Sequence, residues 1–525
     1  MNVKFIRDPF LIVSIILLAL IVLPVVVGAF TLPHINPYSE AGYYAAAPYA
    51  VPSWATIFYG NLPPDIKIPS SYDLISAKSP EAISYWNLRN ETINGDTITV
   101  VWNSTFGPTG ESFTKTLATF GNTGPGSIEI IIQGSQPINL TLYHTFTYNY
   151  KLPSTYNFFN LQASIYYISY GANFNFNGYL INPKNQTFWM FTSGNFPPTN
   201  PVLVTYFHYF GPKGWNYILS SSSSASFTPW ITTANLTGTQ LTSASDILLH
   251  RAFNTTGNYT VEYVIEYIPS SSNSKLIVYL SDLYFEFLGS RYGLLGTDEN
   301  GASVFSEYVM GGEFDLILAT IVGLAILGIG AMLGLLAGYY GGGTDTALVA
   351  VTDFVLLIPG LAMLIILMTI FQQIFISANK ALLISVVIVI LSWPPTARII
   401  RGQTMAIRSM PFIEAARALG MSNTQILWKH VIRHVVPILI AQLIFDIPAV
   451  IGIESALDFL GVGILTTPTW GNMLGFSTHA VLYAPYYAWW WILPPGFALF
   501  FLGISLFYLG EFIERQYGLL TGGTH

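Results

Sequence analysis

Long apolar runs lie near the N-terminus of the chain and again beyond residue 310. A membrane core about 30 Å thick requires about 20 largely apolar residues for each spanning helix. The first run is too long for the apolar core of a cleaved signal peptide, so we expect it to remain as a membrane anchor. The pattern predicts six spans: Phe10 to Phe30, Leu316 to Tyr339, Ala347 to Phe371, Ala381 to Trp393, Val435 to Ile453 and Tyr487 to Leu509.

Between about Pro37 and Arg291 the pattern changes to short runs that alternate polar and apolar side chains. Alternation with a period of two predicts β-strands, and glycine and proline pairs between the runs predict turns. We therefore expect an all-β sandwich of one or two lobes, inserted between the first span and the rest. The predicted strands are Thr97 to Trp102, Ser127 to Gln133, Asn139 to Tyr148, Ala163 to Tyr170, Phe188 to Thr192, Leu203 to Tyr209, Tyr259 to Tyr267 and Leu276 to Phe287.

These patterns divide the chain into three parts. Residues 1–36 hold the N-terminal tail and the first span, residues 37–291 the β-rich domain, and residues 292–525 a core of five further spans. Composition agrees with this class, since 52% of the 525 residues are hydrophobic and only 9% are charged, against about 25% charged in soluble domains. The net charge of −7 without a clustered basic patch argues against a nucleic-acid partner. The chain has no cysteine, which excludes disulfides and thiolate chemistry.

Charge predicts the orientation of the spans in the membrane. One segment, from Arg398 to His434, concentrates basic residues against a single acid, Glu414, and the positive-inside rule places such a segment in the cytoplasm. We count the short run Ala381 to Trp393 as a span because omitting it would move this segment to the other side. Both termini are then cytoplasmic, and residues 37–310 lie outside. The basic residues are Arg398, Arg401, Arg408, Arg417, Lys429 and Arg433.

Sequons for N-glycosylation, Asn-x-Ser/Thr, provide an independent check on this orientation. All of them fall in the part of the chain that we place outside the cell membrane. They are candidate glycosylation sites: Asn90, Asn103, Asn139, Asn185, Asn235, Asn254 and Asn258.

Acidic residues within or just beyond the predicted spans are candidates for the path of a transported solute. A carboxylate at mid-membrane costs about 2.5–3.5 kcal/mol on insertion scales unless it faces a cavity or a partner. Asp446 is such a residue in the fifth span, and pairing with a partner subunit is the equal alternative. Glu454 and Asp458 share one helical face near its outer end, where a packing role for Glu454 is the competing interpretation. No metal-binding or catalytic group of residues is recognisable, so we expect neither an enzyme nor a resident cofactor.

The segment Glu414-Ala415-Ala416-Arg417-Ala418-Leu419-Gly420 resembles the EAA loop of ABC-importer permeases. Small alanines allow two helices to approach closely, and Gly420 suits a left-handed helix end. The resemblance extends over about residues 3–40 and 292–515 and is closest to the dipeptide/oligopeptide branch. It is carried by further matches, among them Arg7-Asp8-Pro9, Asn36-Pro37-Tyr38, Leu335, Ala337-Gly338-Tyr339, Gly341-Gly342, Arg401-Gly402-Gln403, Glu454 and Trp470-Gly471-Asn472.

The resemblance implies a polytopic α-helical membrane protein with the type I ABC-importer permease fold. In that family the EAA loop seats in a groove of the ATP-binding subunit, so Glu414, Ala415, Ala416, Arg417 and Gly420 are the implied coupling residues. The implied partners are a second permease subunit, two ATP-binding subunits that hold ATP and magnesium, and an extracytoplasmic solute-binding protein. Consistent with this division, the chain lacks the Gly-x4-Gly-Lys-Ser/Thr phosphate loop.

Two departures from the family pattern stand out. Ile438 occupies the position after Pro437 where the family usually has asparagine, and about 250 residues replace a short loop. Peptide import is the leading interpretation, and oligosaccharide import by the same branch is the alternative within transport. A membrane-anchored cell-surface binding protein is the alternative from another class.

Overall fold

The structure is a computed structural model in which two compact units are distinct, a helical unit of residues 1–39 and 304–525 and a β unit of residues 40–303. Each unit is built around its own core. The structure describes residues 8–39, 42–43, 45–91, 97–106, 126–150, 157–192, 202–203, 206–210, 216–221, 251–376 and 379–521.

Helices of very different length make up the helical unit. Asp8 caps the first of them by accepting a hydrogen bond from the Phe10 N–H at 2.9 Å, with Pro9 in the first turn, which is a favoured helix start. In chain order its helices are α1 (Pro9–Thr31), then, after the β unit, α5 (Val304–Tyr340), α6 (Gly342–Leu357), α7 (Gly360–Ile374), α8 (Lys380–Arg408), α9 (Pro411–Ala418), α10 (Asn423–Ile426), α11 (Ile432–Phe459), α12 (Trp470–Tyr483) and α13 (Trp489–Thr521).

Five helical segments of the described chain are long and apolar enough to cross a membrane. A sixth crossing requires α6 and α7 together, and these two helices meet at an angle of 86°. The predicted third span, Ala347 to Phe371, corresponds to this pair, and the bend arises because Pro359 cannot donate a backbone hydrogen bond and disfavours helical geometry at Ile358. The predicted fourth span, Ala381 to Trp393, lies within α8, but its predicted end is wrong: α8 has 29 residues and continues through Pro394 and Pro395 to Arg408.

Three glycines spaced four apart bring α5 against α8. A Cβ atom added at Gly330 would lie 2.8 Å from Thr396 Cβ, at Gly334 2.5 Å from the Ala397 carbonyl oxygen, and at Gly338 2.6 Å from the Arg401 carbonyl oxygen. No real side chain fits at such distances. The spacing of four places all three glycines on one face of α5, and the close packing there fixes α8 along the length of α5.

Two sheets, antiparallel except for the parallel pair β8 and β9, and a few short helices form the β unit. One sheet has the strand order β10-β11-β6-β13-β4-β3, with β1 paired to β13, and the other has the order β2-β5-β12-β7-β8-β9. The short helices are α2 (Thr56–Tyr59), α3 (Tyr72–Ile75) and α4 (Glu81–Tyr85). The strands are β1 (Ile66–Ile68), β2 (Asn87–Glu91), β3 (Thr97–Asn103), β4 (Ser127–Gln133), β5 (Ile138–Tyr148), β6 (Phe158–Tyr170), β7 (Ala172–Ile181), β8 (Thr187–Thr192), β9 (Val202–Leu203), β10 (Tyr206–Phe210), β11 (Asn216–Ser221), β12 (Gly257–Pro269) and β13 (Lys275–Leu288).

An apolar cluster of buried residues joins the two sheets of the β unit. Buried residues of β4 and β6 belong to the same cluster as buried residues of β5 and β12. The Tyr263 hydroxyl on β12 donates a hydrogen bond of 2.7 Å to the Gln162 carbonyl on β6, which ties one sheet to the other. Because the chain has no cysteine, this core and the strand ladders stabilise the unit without disulfides.

Asp65, next to β1, makes the stability of the β unit depend on pH. Burial raises its pKa to about 7, although the Gly289 N–H, which donates to Oδ1 at 2.8 Å, and nearby Lys67 lower it. An unfolded aspartate ionises near pH 3.8, so between about pH 4 and 7 the folded state keeps a proton that the unfolded state releases. The contribution of Asp65 to stability is therefore present at low pH and declines as the pH rises.

We expect the free energy of unfolding to fall by at most about 1.4 kcal/mol per pH unit across this range through Asp65 alone. Asp65→Asn keeps an acceptor for the Gly289 N–H and removes the titration, so the variant should show a flatter pH profile. Thermal unfolding of the full chain and of the variant, followed by β-sheet circular dichroism between pH 4 and 8, measures how the stability of each protein depends on pH. Identical profiles for the two proteins would contradict the assignment.

Candidate functional site

A compact elbow of residues 411–426 contains the five predicted coupling residues. Pro411 opens α9, which ends at Ala418, and Gly420 follows with a φ of 81°. The Gly420 N–H donates to the Arg417 carbonyl at 2.9 Å and the Met421 N–H to the Ala416 carbonyl at 3.2 Å. This pair of bonds is a Schellman motif, which requires a left-handed residue at the glycine position. The predicted helix-ending turn at Gly420 is confirmed.

The second arm of the elbow starts at a capping box. The Ser422 hydroxyl accepts from the Gln425 N–H at 3.3 Å, and the Gln425 side chain accepts from the Ser422 N–H at 3.0 Å. These two bonds satisfy backbone donors that would otherwise be free at the start of α10. After Ile426 the helix continues through a π-helical turn, Leu427–Val431, directly into α11. The second arm of the elbow and the long apolar helix α11 therefore form one uninterrupted helical segment.

One side of the elbow is buried against the ends of other helices. Ile413 and Ala416 of α9 and Ile426 of α10 are buried in one cluster with Leu335 of α5 and Ile400 of α8. Ile438, at the position where asparagine is usual in the resembled family, packs against the same cluster. An apolar contact thus occupies the place of the expected polar one.

The opposite side of the elbow is exposed. Glu414, Ala415, Arg417 and Gly420 lie at this surface, whereas Ala416 is buried beneath it. Leu419 is 84% exposed and was not among the residues predicted from the sequence. The turn therefore presents an apolar side chain at the exposed surface of the elbow.

The basic segment predicted as one cytoplasmic stretch, Arg398 to His434, begins within α8 and ends within α11. Two of its arginines form ion pairs with α6. Arg398 pairs with Asp353 and donates to the Thr352 hydroxyl at 2.9 Å, and Arg401 pairs with Asp345 through both of its carboxylate oxygens. These pairs hold the bent helix α6 to α8 near the start of the elbow.

Asp446 lies half-buried in α11 and faces α5. Gln442 Nε2 donates to Asp446 Oδ1 at 2.9 Å, and a Cβ atom at Gly323 of α5 would lie 3.9 Å from Asp446 Cβ. The side chain is therefore among helices of its own chain, at a position where polar groups in membrane proteins usually serve a path or a helix contact.

Glu454 and Asp458 are placed differently from Asp446, because both are buried. Asp458 accepts hydrogen bonds of 2.6 Å from the Thr469 hydroxyl and from the Ile464 N–H, and so closes the loop between α11 and α12. Asp315 of α5 accepts from the Trp470 N–H at 2.9 Å. The structure brings these carboxylates together at the loop and does not bring them to Asp446. Their contacts fit a packing role, the alternative recognised from the sequence for Glu454.

Motifs far apart in sequence meet at this same loop. Asn36 donates to the Thr466 carbonyl at 2.8 Å, and the Tyr38 hydroxyl donates to Asn472 Oδ1 at 2.9 Å. Asn472 in turn donates to two loop carbonyls, those of Ile464 and Thr467. Residues near both ends of the chain that match the family pattern therefore form one hydrogen-bonded cluster at this loop of the helical unit.

The candidate glycosylation sites lie in the β unit and differ in accessibility. Asn139, Asn185, Asn254 and Asn258 are exposed, whereas Asn103 is half-buried and donates to Glu129 at 2.9 Å. Asn90 lies in β2. Asn235 falls outside the described residues.

The described part of the chain contains no group of three histidine, aspartate or glutamate residues placed to hold a metal ion. His434, whose spacing from His430 matches a metal pair, instead contacts the His430 carbonyl through Nδ1 at 2.9 Å and stacks on Phe412.

Comparison with a family model and with known proteins points in both cases to membrane components of transport systems. The family model described as binding-protein-dependent transport system inner membrane component matches residues 330–518. The oligopeptide transport system permease protein OppC of Haemophilus influenzae is 31% identical over 217 residues, which are 41% of this chain and 66% of that protein. The probable D,D-dipeptide transport system permease protein DdpC of Escherichia coli is 31% identical over 230 residues, 43% of this chain and 74% of that protein.

Among solved structures, a chain of the MetNI methionine ABC transporter in an inward-facing conformation is similar, with 19% identity and a TM-score of 0.34, over 40% of this chain and 96% of that one. The family match covers the elbow and most of the apolar helices, and the E. coli relative is matched over more than two thirds of its length. This chain is an integral membrane protein that belongs to the family of binding-protein-dependent transport system inner membrane components.

Proposed function

We propose that the chain is one permease subunit of an ATP-driven importer of di- and oligopeptides. The observation that carries this proposal is the elbow, a rigid helical turn with a buried base and an exposed apolar tip. Two relatives named as oligopeptide and D,D-dipeptide permease proteins support the substrate class. ATP and magnesium belong to two partner subunits, a second permease completes the pore, and a solute-binding protein delivers the peptide.

The proposed topology has six spans, with the pair α6 and α7 counted as one bent crossing. The elbow and both termini then lie in the cytoplasm and the β unit outside. The basic residues around the elbow support this orientation through the positive-inside rule, and the sequons of the β unit are compatible with it. The Arg398 and Arg401 ion pairs join α6 to the basic segment of α8, which is compatible with a cytoplasmic position for this part of α6.

The mechanism follows from how the elbow is connected. α9 starts three residues after α8 ends, and α10 runs without a break into α11. When the ATP-binding subunits close, they displace the tip of the elbow, and the displacement is transmitted to α8 and to the helix that contains Asp446. ATP binding outside the membrane-spanning core thereby changes the access of the solute path from one side to the other.

Reconstitution tests this function. The chain, its partner permease and the ATP-binding subunits are placed in proteoliposomes with the solute-binding protein, and uptake of labelled peptide is measured with and without ATP. We expect ATP-dependent uptake that unlabelled peptides inhibit. Inhibition by oligosaccharides alone would assign the transporter to sugars, and uptake that does not depend on ATP would exclude the proposal.

Asp446→Asn tests the proposed solute path. The change removes a negative charge and preserves the size and the hydrogen bond from Gln442, so assembly should be normal. If the carboxylate attracts the ammonium group of a peptide, we expect KM for uptake to rise about tenfold, equivalent to about 1.4 kcal/mol. Glu511→Gln, which removes a carboxylate from the partly exposed pair with Arg515, is the matched control and should leave KM unchanged. An unaltered KM in Asp446→Asn would remove this residue from the path.

A further inference from the structure

Tyr339, in the last turn of α5, contacts both arms of the elbow. Its side chain is 2% exposed. The hydroxyl donates to Asn423 Oδ1 of α10 at 3.1 Å, and the guanidinium of Arg417 in α9 lies 5.8 Å from the centre of its ring. One side chain from a membrane-spanning helix therefore joins the two short helices on either side of the Gly420 turn.

The position of Tyr339 is itself fixed by the neighbouring residue. Gly338 brings α5 so close to α8 that an added Cβ atom would lie 2.6 Å from the Arg401 carbonyl oxygen and 2.7 Å from Thr404 Cβ. α5 cannot slide along α8 at this point without breaking the close contact. Because α5 is fixed along α8 at this point, the position of Tyr339 relative to the elbow is fixed as well.

The cluster of buried residues around Ile413 holds the elbow against its neighbours mainly through apolar contacts. Ile413, Ala416 and Ile426 contact their neighbours through apolar side chains, and apolar contacts are not directional. A hydrogen bond depends on the angle at the donor and at the acceptor, so it specifies orientation as well as distance. The Tyr339 hydroxyl supplies this directional contact at the start of α10, the arm that continues into α11.

We propose that Tyr339 is a positioning residue for energy coupling, which holds α9 and α10 in a fixed arrangement so that displacement of the elbow moves α5 and α11 together. The role rests on the proposed function of the elbow as the contact with the ATP-binding subunits. Tyr339 does not touch the solute or the ATP-binding subunit itself, since its side chain is buried beneath the exposed face.

Tyr339→Phe is the test variant, because it removes the hydroxyl and keeps the ring that Arg417 covers. Tyr340→Phe is the matched control: this tyrosine is adjacent and 44% exposed. In proteoliposomes we expect Tyr339→Phe to lower the thermal unfolding midpoint by only about 2–4 °C and to keep its binding of the ATP-binding subunits. Peptide transported per ATP hydrolysed should fall about five-fold, the equivalent of about 1 kcal/mol for one hydrogen bond. Tyr340→Phe should match the unmodified chain.

A double-mutant cycle with Asn423→Ala separates positioning from a general loss of structure. If the two side chains act through their mutual hydrogen bond, the double variant loses no more coupling than either single variant. Additive losses, an unchanged ratio of transport to hydrolysis in Tyr339→Phe, or an equal loss in Tyr340→Phe would each overturn the proposal. Absence of ATP-dependent uptake by the unmodified chain would instead refute the proposed function.

A second readout does not depend on transport. Because the chain lacks cysteine, cysteines introduced at Ala418 of α9 and Gly343 of α6, both exposed, can carry spin labels. The distribution of distances between the labels should broaden in Tyr339→Phe and remain narrow in Tyr340→Phe. An equally narrow distribution in both variants would show that the hydroxyl does not fix the elbow.

Discussion

Leu419→Asp is expected to abolish ATP-driven uptake while leaving the fold of the chain intact. The side chain is 84% exposed at the tip of the elbow, so the substitution disturbs no core. At an interface with the ATP-binding subunit, however, the new carboxylate would be buried without a partner. Removing or mismatching a buried group at such a contact costs about 2–5 kcal/mol, which reduces affinity by one to three orders of magnitude or more. Binding of purified ATP-binding subunits and ATP-dependent uptake are the two measurements.

Leu419→Met is the matched control for this prediction. Methionine keeps the apolar character and adapts to an existing groove, so binding and uptake should remain close to those of the unmodified chain. Equal unfolding midpoints of the aspartate and methionine variants would confirm that the effect lies in the contact. Normal uptake by Leu419→Asp would mean that the tip of the elbow does not enter a partner.

Local sequence patterns were sufficient for much of the secondary structure. The alternating run predicted over Ser127 to Gln133 coincides with β4, and the one over Asn139 to Tyr148 lies within β5, which starts at Ile138. These strands alternate because one face of each meets the core. The glycines of α5 were informative for a similar reason, since a spacing of four places them on one helical face.

Features that depend on tertiary contacts could not be predicted in this way. Three consecutive tryptophans begin α13, and the structure buries Trp490 and Trp491, of which Trp491 donates to Glu307 at 2.9 Å. Hydropathy does not distinguish a lipid-facing indole from one that packs on another helix. Likewise, the sequence showed Leu419 within a motif but not that its side chain is exposed, because exposure depends on which face of α9 the cluster around Ile413 covers.

The acidic residues of α11 also show that local sequence patterns do not predict tertiary contacts. Glu454 and Asp458 are four residues apart, which correctly predicts that they share a helical face. Which face that is depends on the loop that returns to α12, and the contacts of Asp458 with Ile464 and Thr469 turn it inward. Asp446 has no such loop beside it and lies half-buried among helices. Identical residue types on one helix therefore support different roles.

Gly334→Ala is expected to destabilise the helical unit strongly. The new Cβ atom would lie 2.5 Å from the Ala397 carbonyl oxygen and 3.0 Å from the Arg401 nitrogen, about an ångström short of an ordinary contact with the oxygen. Both neighbours are backbone atoms and cannot rotate away, so α5 and α8 must separate. Overpacking of this kind costs about 1–3 kcal/mol, and the unfolding midpoint of the full chain in detergent should fall accordingly.

Gly328→Ala is the matched control, since it adds the same methyl group to the same helix where nothing lies within 4 Å. Its midpoint should be unchanged or slightly higher, because alanine favours helix over glycine. The two variants also distinguish packing from coupling. α8 leads into the elbow, so separation of α5 from α8 displaces Tyr339 relative to Asn423, and uptake by Gly334→Ala should fall even at temperatures where the chain remains folded. Equal midpoints and equal uptake for both variants would show that the glycine groove does not set the helix contact on which the elbow depends.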